Sequence, residues 1–222
     1  MIIKIENICK KYGKKKILNG VSFSVSDGEC IGILGGNGCG KSTLLSILAG
    51  VRKSGGGRFL ADETDLFSDK KKRSELVGYV PQGTPLLEEL TALDNLRLWY
   101  SHKDMKEELS SGTLKMLGID EFLKVPVRKM SGGMKKRLSI GCSVARKPHV
   151  LLLDEPTAAL DLICKEQIRE YLLRHKENGG IILLTTHDER ELEICDKLYV
   201  IKNGILEQVE YSGDIKALKE KF

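Results

Sequence analysis

The run Gly35-Gly36-Asn37-Gly38-Cys39-Gly40-Lys41-Ser42-Thr43 combines the residue types that hold a polyphosphate. It fits the pattern G-x-x-x-x-G-K-[ST]. Glycines let backbone N–H groups converge on phosphate oxygens with no Cβ in the way. Lys41 can reach β- and γ-phosphates as a point charge. The Ser42 hydroxyl can ligate Mg²⁺, and that of Thr43 can reach the α/β-phosphates. The flanks supply the context this chemistry needs. The apolar run Cys30-Ile31-Gly32-Ile33-Leu34 predicts a buried strand, and Leu44 to Ala49 predicts a helix whose positive end faces the phosphates.

A second group of residues has matching chemistry. Val150-Leu151-Leu152-Leu153 is a continuous apolar run that ends in Asp154-Glu155. Such a run fits a parallel strand covered on both faces, with its carboxyl end where ligands bind in open α/β sheets. Asp154 can hold the shell of a divalent ion, and Glu155 can orient an attacking water or take its proton. Ile181 to Thr186 predicts another buried strand, and His187 follows it, within reach of a γ-phosphate. Gln82 follows a predicted strand at 76–80, expected beside the phosphate loop, and offers an amide oxygen to Mg²⁺ or water.

Met130-Ser131-Gly132-Gly133-Met134-Lys135-Lys136-Arg137 runs into a helix. Ser131 can cap it while the N–H groups of Gly132 and Gly133 point outward. This is a second anion-binding helix start. A single nucleotide does not need two, so the pattern implies a phosphate shared between two molecules. Tyr12, beside Gly13, reads either as a stacking face for adenine or as a surface tyrosine.

These residues need positioning elements. Residues 2–8 and 21–26 alternate apolar and polar, as in a half-exposed antiparallel sheet. Asp27-Gly28 and Asn203-Gly204 are turn signals, the latter between strands at 198–201 and 205–207. Residues 54–59 are a glycine-rich turn into a strand. Helix formers fill 88–123, a mostly helical insertion, and helices are expected at 162–175 and 214–222.

The 222 residues suit one domain; 41% are hydrophobic and 30% charged, as in ordinary globular chains. No apolar run approaches the roughly 20 residues that span a bilayer. The first residues alternate like a strand and lack a signal-peptide plan, which places the chain in the cytoplasm. Net charge is +5. The clusters Lys14-Lys15-Lys16, Lys70-Lys71-Lys72-Arg73 and Lys135-Lys136-Arg137 read as solvated faces, and no nucleic-acid partner is expected. The six cysteines are scattered without a C-x-x-C pair, so neither a zinc site nor a disulfide framework is expected.

The order of these parts resembles that of ATP-binding cassette (ABC) ATPases over nearly the full length. The resemblance rests on an aromatic before the phosphate loop, Gln82, the signature at 130–134, the acidic strand, Ala159-Leu160-Asp161 and His187. It implies a P-loop NTPase α/β fold with a mainly parallel sheet core, an N-terminal antiparallel β lobe and a helical insertion lobe at about 86–135, all within one domain at 1–222. It also implies a head-to-tail dimer, with each ATP between one phosphate loop and Ser131, Gly132 and Gly133 of the other copy. Lys41 then binds phosphate, and Ser42 and Gln82 ligate Mg²⁺, which Asp154 contacts through water. Glu155 is the base, His187 senses the γ-phosphate, Tyr12 stacks on adenine and Asp161 helps join the dimer.

One departure is Met134, where the family signature carries glutamine; Met130 stands for its leading leucine. The implied function is the ATPase subunit of a membrane exporter, working as a homodimer on a separate integral-membrane permease at the inner face of the membrane. Region 83–100 would receive the permease. No added regulatory domain is expected after 213. The alternative is a non-transport ABC ATPase acting on nucleic acid or ribosomes. Those usually join two cassettes or carry long coiled-coil insertions, and neither is present. A nucleotide-binding module without catalysis is disfavoured by Glu155 and His187.

Overall fold

The computed structural model describes residues 1–210; the helix expected at 214–222 lies outside the described residues. Two sheets and a set of helices share two main apolar layers. The first sheet is antiparallel. It contains β1 (Ile2–Tyr12), β2 (Lys15–Ser26), β4 (Gly56–Ala61) and β5 (Thr64–Asp65), in the order β2-β1-β4-β5. The expected alternation holds, with Ile3, Ile5, Val21, Phe23 and Val25 buried and Ile2, Lys4, Ser22 and Ser24 outside. β1 and β2 run further toward their hairpin than the alternation predicts, and Tyr12 pairs with Lys15 at its mouth.

The second sheet has the order β10-β9-β3-β8-β7-β6. Its strands are β3 (Cys30–Leu34), β6 (Val77–Val80), β7 (Val150–Asp154), β8 (Ile181–Thr185), β9 (Lys197–Lys202) and β10 (Ile205–Val209). All neighbours are parallel except β9 and β10. The hairpin between those two turns at Asn203 and Gly204, whose φ values of 53° and 79° are the left-handed geometry such a turn requires. β3, β7 and β8 are buried at every position, as continuous apolar runs should be.

The sheet separates two cores. On one face Ile31, Ile33, Val150, Leu152, Ile181 and Leu183 pack with α1 (Lys41–Leu48) and the antiparallel sheet. On the other, Leu151, Leu153, Ile182 and Leu184 pack with α3 (Ala92–Arg97), α6 (Gly132–Ser143) and α7 (Leu162–Glu177). The remaining helices are α2 (Lys70–Leu76), α4 (His102–Ser111), α5 (Thr113–Met116) and α8 (Glu189–Leu192). Among the described residues, no helix is long and apolar enough to cross a membrane.

Two expectations are corrected here. β6, which carries Gln82 beyond its end, is an edge strand. β7 and β8 separate it from β3, so Gln82 is not delivered by a neighbour of the phosphate-loop strand. The Lys135-Lys136-Arg137 cluster is not a solvated face either. Lys136 and Arg137 are buried, because α6 turns that side toward the core. Arg137 donates to Leu117 O and Gln167 Oε1, each at 2.9 Å, with its guanidinium over the Phe122 ring.

Candidate nucleotide site

The phosphate loop joins β3 to α1. Gly35, Gly38 and Gly40 have φ of 141°, 76° and 120°, so glycine is needed to keep the chain in this path. The loop has a closed side and an open side. A Cβ on Gly35 would strike Ile201 O at 2.6 Å and Cys39 Sγ at 2.7 Å, whereas one on Gly36 or Gly38 meets nothing within 4 Å. Lys41 is buried and donates from Nζ to Gly35 O at 2.6 Å and Gly36 O at 3.3 Å. Its ammonium is thus already aimed across the loop. Ser42 is exposed, and with Thr43, Arg52, Tyr79 and Pro81 it lines a cleft of about 420 Å³.

Asp154 ends β7 and is 2% exposed. Its Oδ1 accepts from Thr185 Oγ1 at 2.7 Å, across the register pair Asp154–Thr185. Thr185 also holds the next residue, since Glu155 N donates to Thr185 O at 3.1 Å and Thr185 Oγ1 at 3.0 Å. Glu155 has φ 48°, a left-handed conformation that costs a non-glycine residue roughly 1 kcal/mol or more. This bend lets the Glu155 carboxylate meet two other candidates. Gln82 Nε2 donates to Glu155 Oε2 at 3.0 Å, and His187 Nε2 lies 3.8 Å from Glu155 Oε1. Gln82, Glu155 and His187, from three strand ends, therefore form one group.

Beneath His187 lies Glu191, 3% exposed. Its Oε2 accepts from the Thr186 hydroxyl, which in turn accepts from Asp188 N at 2.9 Å. Burial pushes the Glu191 carboxyl up to about 7, against the pull of the Thr186 and Thr157 hydroxyls.

The other predicted residues lie apart from this group. Ser131 caps α6, its Oγ accepting from Met134 N at 3.2 Å. Ser131 and Gly132 are exposed, and Gly132 has open space around it. Gly133 is buried against Cys164, whose Sγ lies 2.5 Å from where a Cβ would be. Asp161 caps α7 through Cys164 N at 2.9 Å, and that N–H holds its carboxyl below the usual range. Tyr12 is half exposed on the rim. Its hydroxyl accepts from Arg52 Nη1 at 2.6 Å, and Lys10 and Arg52 stand 5.4 and 5.9 Å from its ring centre.

A model of the ABC transporter family matches residues 18–158, well over half the chain. The chain belongs to this family. With that family match and the similar cassette structures, it is an ATP-binding, ATP-hydrolysing enzyme. It is 37% identical over 209 residues to the Nod factor export ATP-binding protein I of Ralstonia nicotianae, covering 91% of this chain and 65% of that protein. It is 33% identical over 220 residues to the spermidine/putrescine import ATP-binding protein of Mesoplasma florum, covering 96% and 63%. The chain thus spans just under two thirds of the length of these two relatives. A dimeric ATP-binding cassette in a post-hydrolysis state, bound to ADP and Pi, superposes with a TM-score of 0.82 at 28% identity, covering 94% of this chain and 99% of that one.

Sequence reasoning missed Thr185, Arg52, Glu191 and Lys136. Only Thr185 left a local signal, a threonine at the end of an otherwise aliphatic buried strand. The other three are ordinary polar residues until the fold brings them to the site.

Proposed function

We propose that this chain is the Mg²⁺-dependent ATPase subunit of an exporter. It works as a head-to-tail homodimer on a separate integral-membrane permease, at the cytoplasmic face of the membrane. Residues 1–222 form one cassette with a helical subdomain at about 86–135. The observation that carries this reading is the split between the two anion-binding helix starts. The phosphate loop is backed on one side by its own chain and has Lys41 buried across it, while Ser131 and Gly132 face solvent. A second cassette turned head to tail would bring its phosphates to that open start. Leu162 and Ile163, 60% and 74% exposed beside Asp161, supply apolar surface for the same contact.

Each residue then has a task. Lys41 exchanges loop carbonyls for phosphate oxygens, and the N–H groups from Gly36 to Thr43 take the rest. Tyr12 stacks on adenine from the Arg52 rim. Among the described residues, no cluster of three His, Cys, Asp or Glu could hold a metal alone. A hard cation would be held through Ser42, Gln82 and the Asp154 shell together with substrate phosphates. Bound there, Mg²⁺ would supply positive charge against that developing on the phosphates. Glu155 orients water and takes its proton, His187 contacts the γ-phosphate, and Asp161 meets the partner.

The permease would dock beside Gln82. Leu87, Leu98 and Trp99 are 52%, 58% and 58% exposed there. A cleft of about 370 Å³ lined by Tyr79, Pro85, Leu86, Trp99 and Arg146 adjoins them. Export is favoured by the relative at 37% identity, which is named as an export protein, over the importer at 33%.

The test is affinity capture of tagged Glu155→Gln protein with ATP from mildly solubilised native membranes. A polytopic membrane protein is the expected partner. Recovery of only soluble protein or nucleic acid would favour a non-transport cassette instead.

A further inference from the structure

Among the described residues, Lys136 is a buried cation with no carboxylate within ion-pair distance. It is 4% exposed, and its Nζ donates to Pro81 O at 3.0 Å and Gln82 O at 3.1 Å. An ammonium has three donors, and these bonds occupy two of them. Its neighbour Lys135 behaves as a surface lysine should, reaching Glu88 at 3.4 Å. Burial lowers the Lys136 pKa, and the nearby charges of Asp154, Glu155 and Glu191 act against that. Fold stability is a weak reason for this arrangement, since a well-packed apolar side chain commonly does as well as a buried charge.

The placement supplies a better reason. Lys136 lies four residues after Gly132 on α6, so the two share one helix face, a turn apart. At its other end it grips the backbone of Gln82, whose side chain donates to Glu155 at 3.0 Å. On the head-to-tail reading, which this inference rests on, Gly132 serves the nucleotide held by the partner. Gln82 and Glu155 serve the nucleotide held by their own phosphate loop. Lys136 therefore stands between the two ATP sites of the dimer.

We propose that Lys136 is a positioning residue: by holding the carbonyls of Pro81 and Gln82 to α6, it sets Gln82 on Glu155 and couples each nucleotide site to the other. A small shift of α6 against the partner's phosphate moves the ammonium, and the Pro81–Gln82 backbone follows within hydrogen-bond range. Gln82 then seats or releases the carboxylate that handles the attacking water.

The test is a double-mutant cycle on the full chain with Lys136→Met and Gln82→Ala, reading kcat and KM for ATP per folded molecule. Lys136→Met should lower kcat at least about tenfold and change KM less than about threefold. In the Gln82→Ala background its further effect should be under about twofold, because the residue through which it acts is gone. A second readout needs no turnover. In Glu155→Gln protein, adding Lys136→Met should weaken ATP-driven dimerisation at least about tenfold by sedimentation.

Equal losses in both backgrounds, or a wild-type kcat in Lys136→Met, overturn the proposal. If Lys136→Met does not fold, Lys136→Gln keeps a neutral donor on a shorter stem, and the same cycle decides between the same two outcomes. A Glu155→Gln chain that stays monomeric in ATP overturns the head-to-tail reading and this coupling with it. A dimer that forms while Lys136 and Gln82 act independently overturns the coupling alone.

Discussion

The two helix starts that can bind anions are held in opposite ways. α1 begins at Gly40 with no side-chain cap, and its loop is braced from behind by Ile201, Cys39, Ile17 and Leu18. Its charge, Lys41, is buried and already satisfied by the loop. α6 begins at Ser131 with an ordinary serine cap, brings no carboxylate to its first turn and leaves Ser131 and Gly132 in solvent. Only Gly133 is pressed inward, against Cys164. The first start is a cradle backed by its own chain and open at Gly36 and Gly38. The second is half a cradle, stable alone and open on the side where a phosphate would lie. On the head-to-tail reading proposed above, the open start of one cassette would meet the filled cradle of another.

Removing the chemistry from the complete site should have the largest effect. Glu155→Gln is expected to cut phosphate release at least about 100-fold while ATP affinity by calorimetry stays within about threefold. Equal turnover in variant and wild type would break the assignment of the base to this side of the comparison.

The two sides of the phosphate loop can be separated next. Gly35→Ala forces a Cβ against Ile201 O at 2.6 Å in a left-handed conformation, so it should destabilise the fold by about 2 kcal/mol or more in a denaturant titration. Gly36→Ala meets open space. It should leave the melting temperature within about 2 °C while weakening ATP binding about tenfold, because its methyl group stands where phosphate approaches. Equal loss of stability in both variants would show that the loop has no open side.

The acid beneath His187 gives a pH test. Glu191 has a folded pKa of about 7, above the ordinary carboxylate value of 4.5. The folded state therefore holds a proton that the unfolded chain releases first. Its contribution to stability is full below about pH 4.5 and is lost as pH rises to about 7. Glu191→Gln should remove that slope, so the variant gains on wild type by the order of 1 to 3 kcal/mol between those limits. Parallel stability curves for the two proteins would show that burial does not hold this proton.

The smallest effect is expected at the open start. Met134 gives its backbone N–H to Ser131, and its partly buried side chain packs against the core that α6 shares with the sheet. Met134→Gln should change ATPase activity less than about tenfold. A larger change would show that this side chain shapes the half-site as much as Ser131 and Gly132 do.

Much of this molecule was legible because its signals are local. The aliphatic runs at 30–34, 150–153 and 181–184 predicted buried strands, since a strand covered on both faces has no polar side to show. The glycine spacing from Gly35 to Gly40 follows from backbone angles that other residues resist. Ser131 and Asn203-Gly204 marked a helix start and a turn through hydrogen bonds and φ values set within a few residues.

What the sequence left open depends on which strands become neighbours. β9 joins β3 on one side and β8 on the other, which moves β6 to the edge and Gln82 away from the phosphate-loop strand. Pairing across a sheet is made by backbone groups that every residue carries, so side-chain types do not reveal the order. The left-handed turn at Glu155, its meeting with Gln82 and His187, and the burial of Lys136 arise from that order. By itself the sequence determined which residues can do phosphate chemistry and the elements that carry them. The tertiary structure decided which of them touch, because contacts between distant strand ends are fixed only when the whole core is packed.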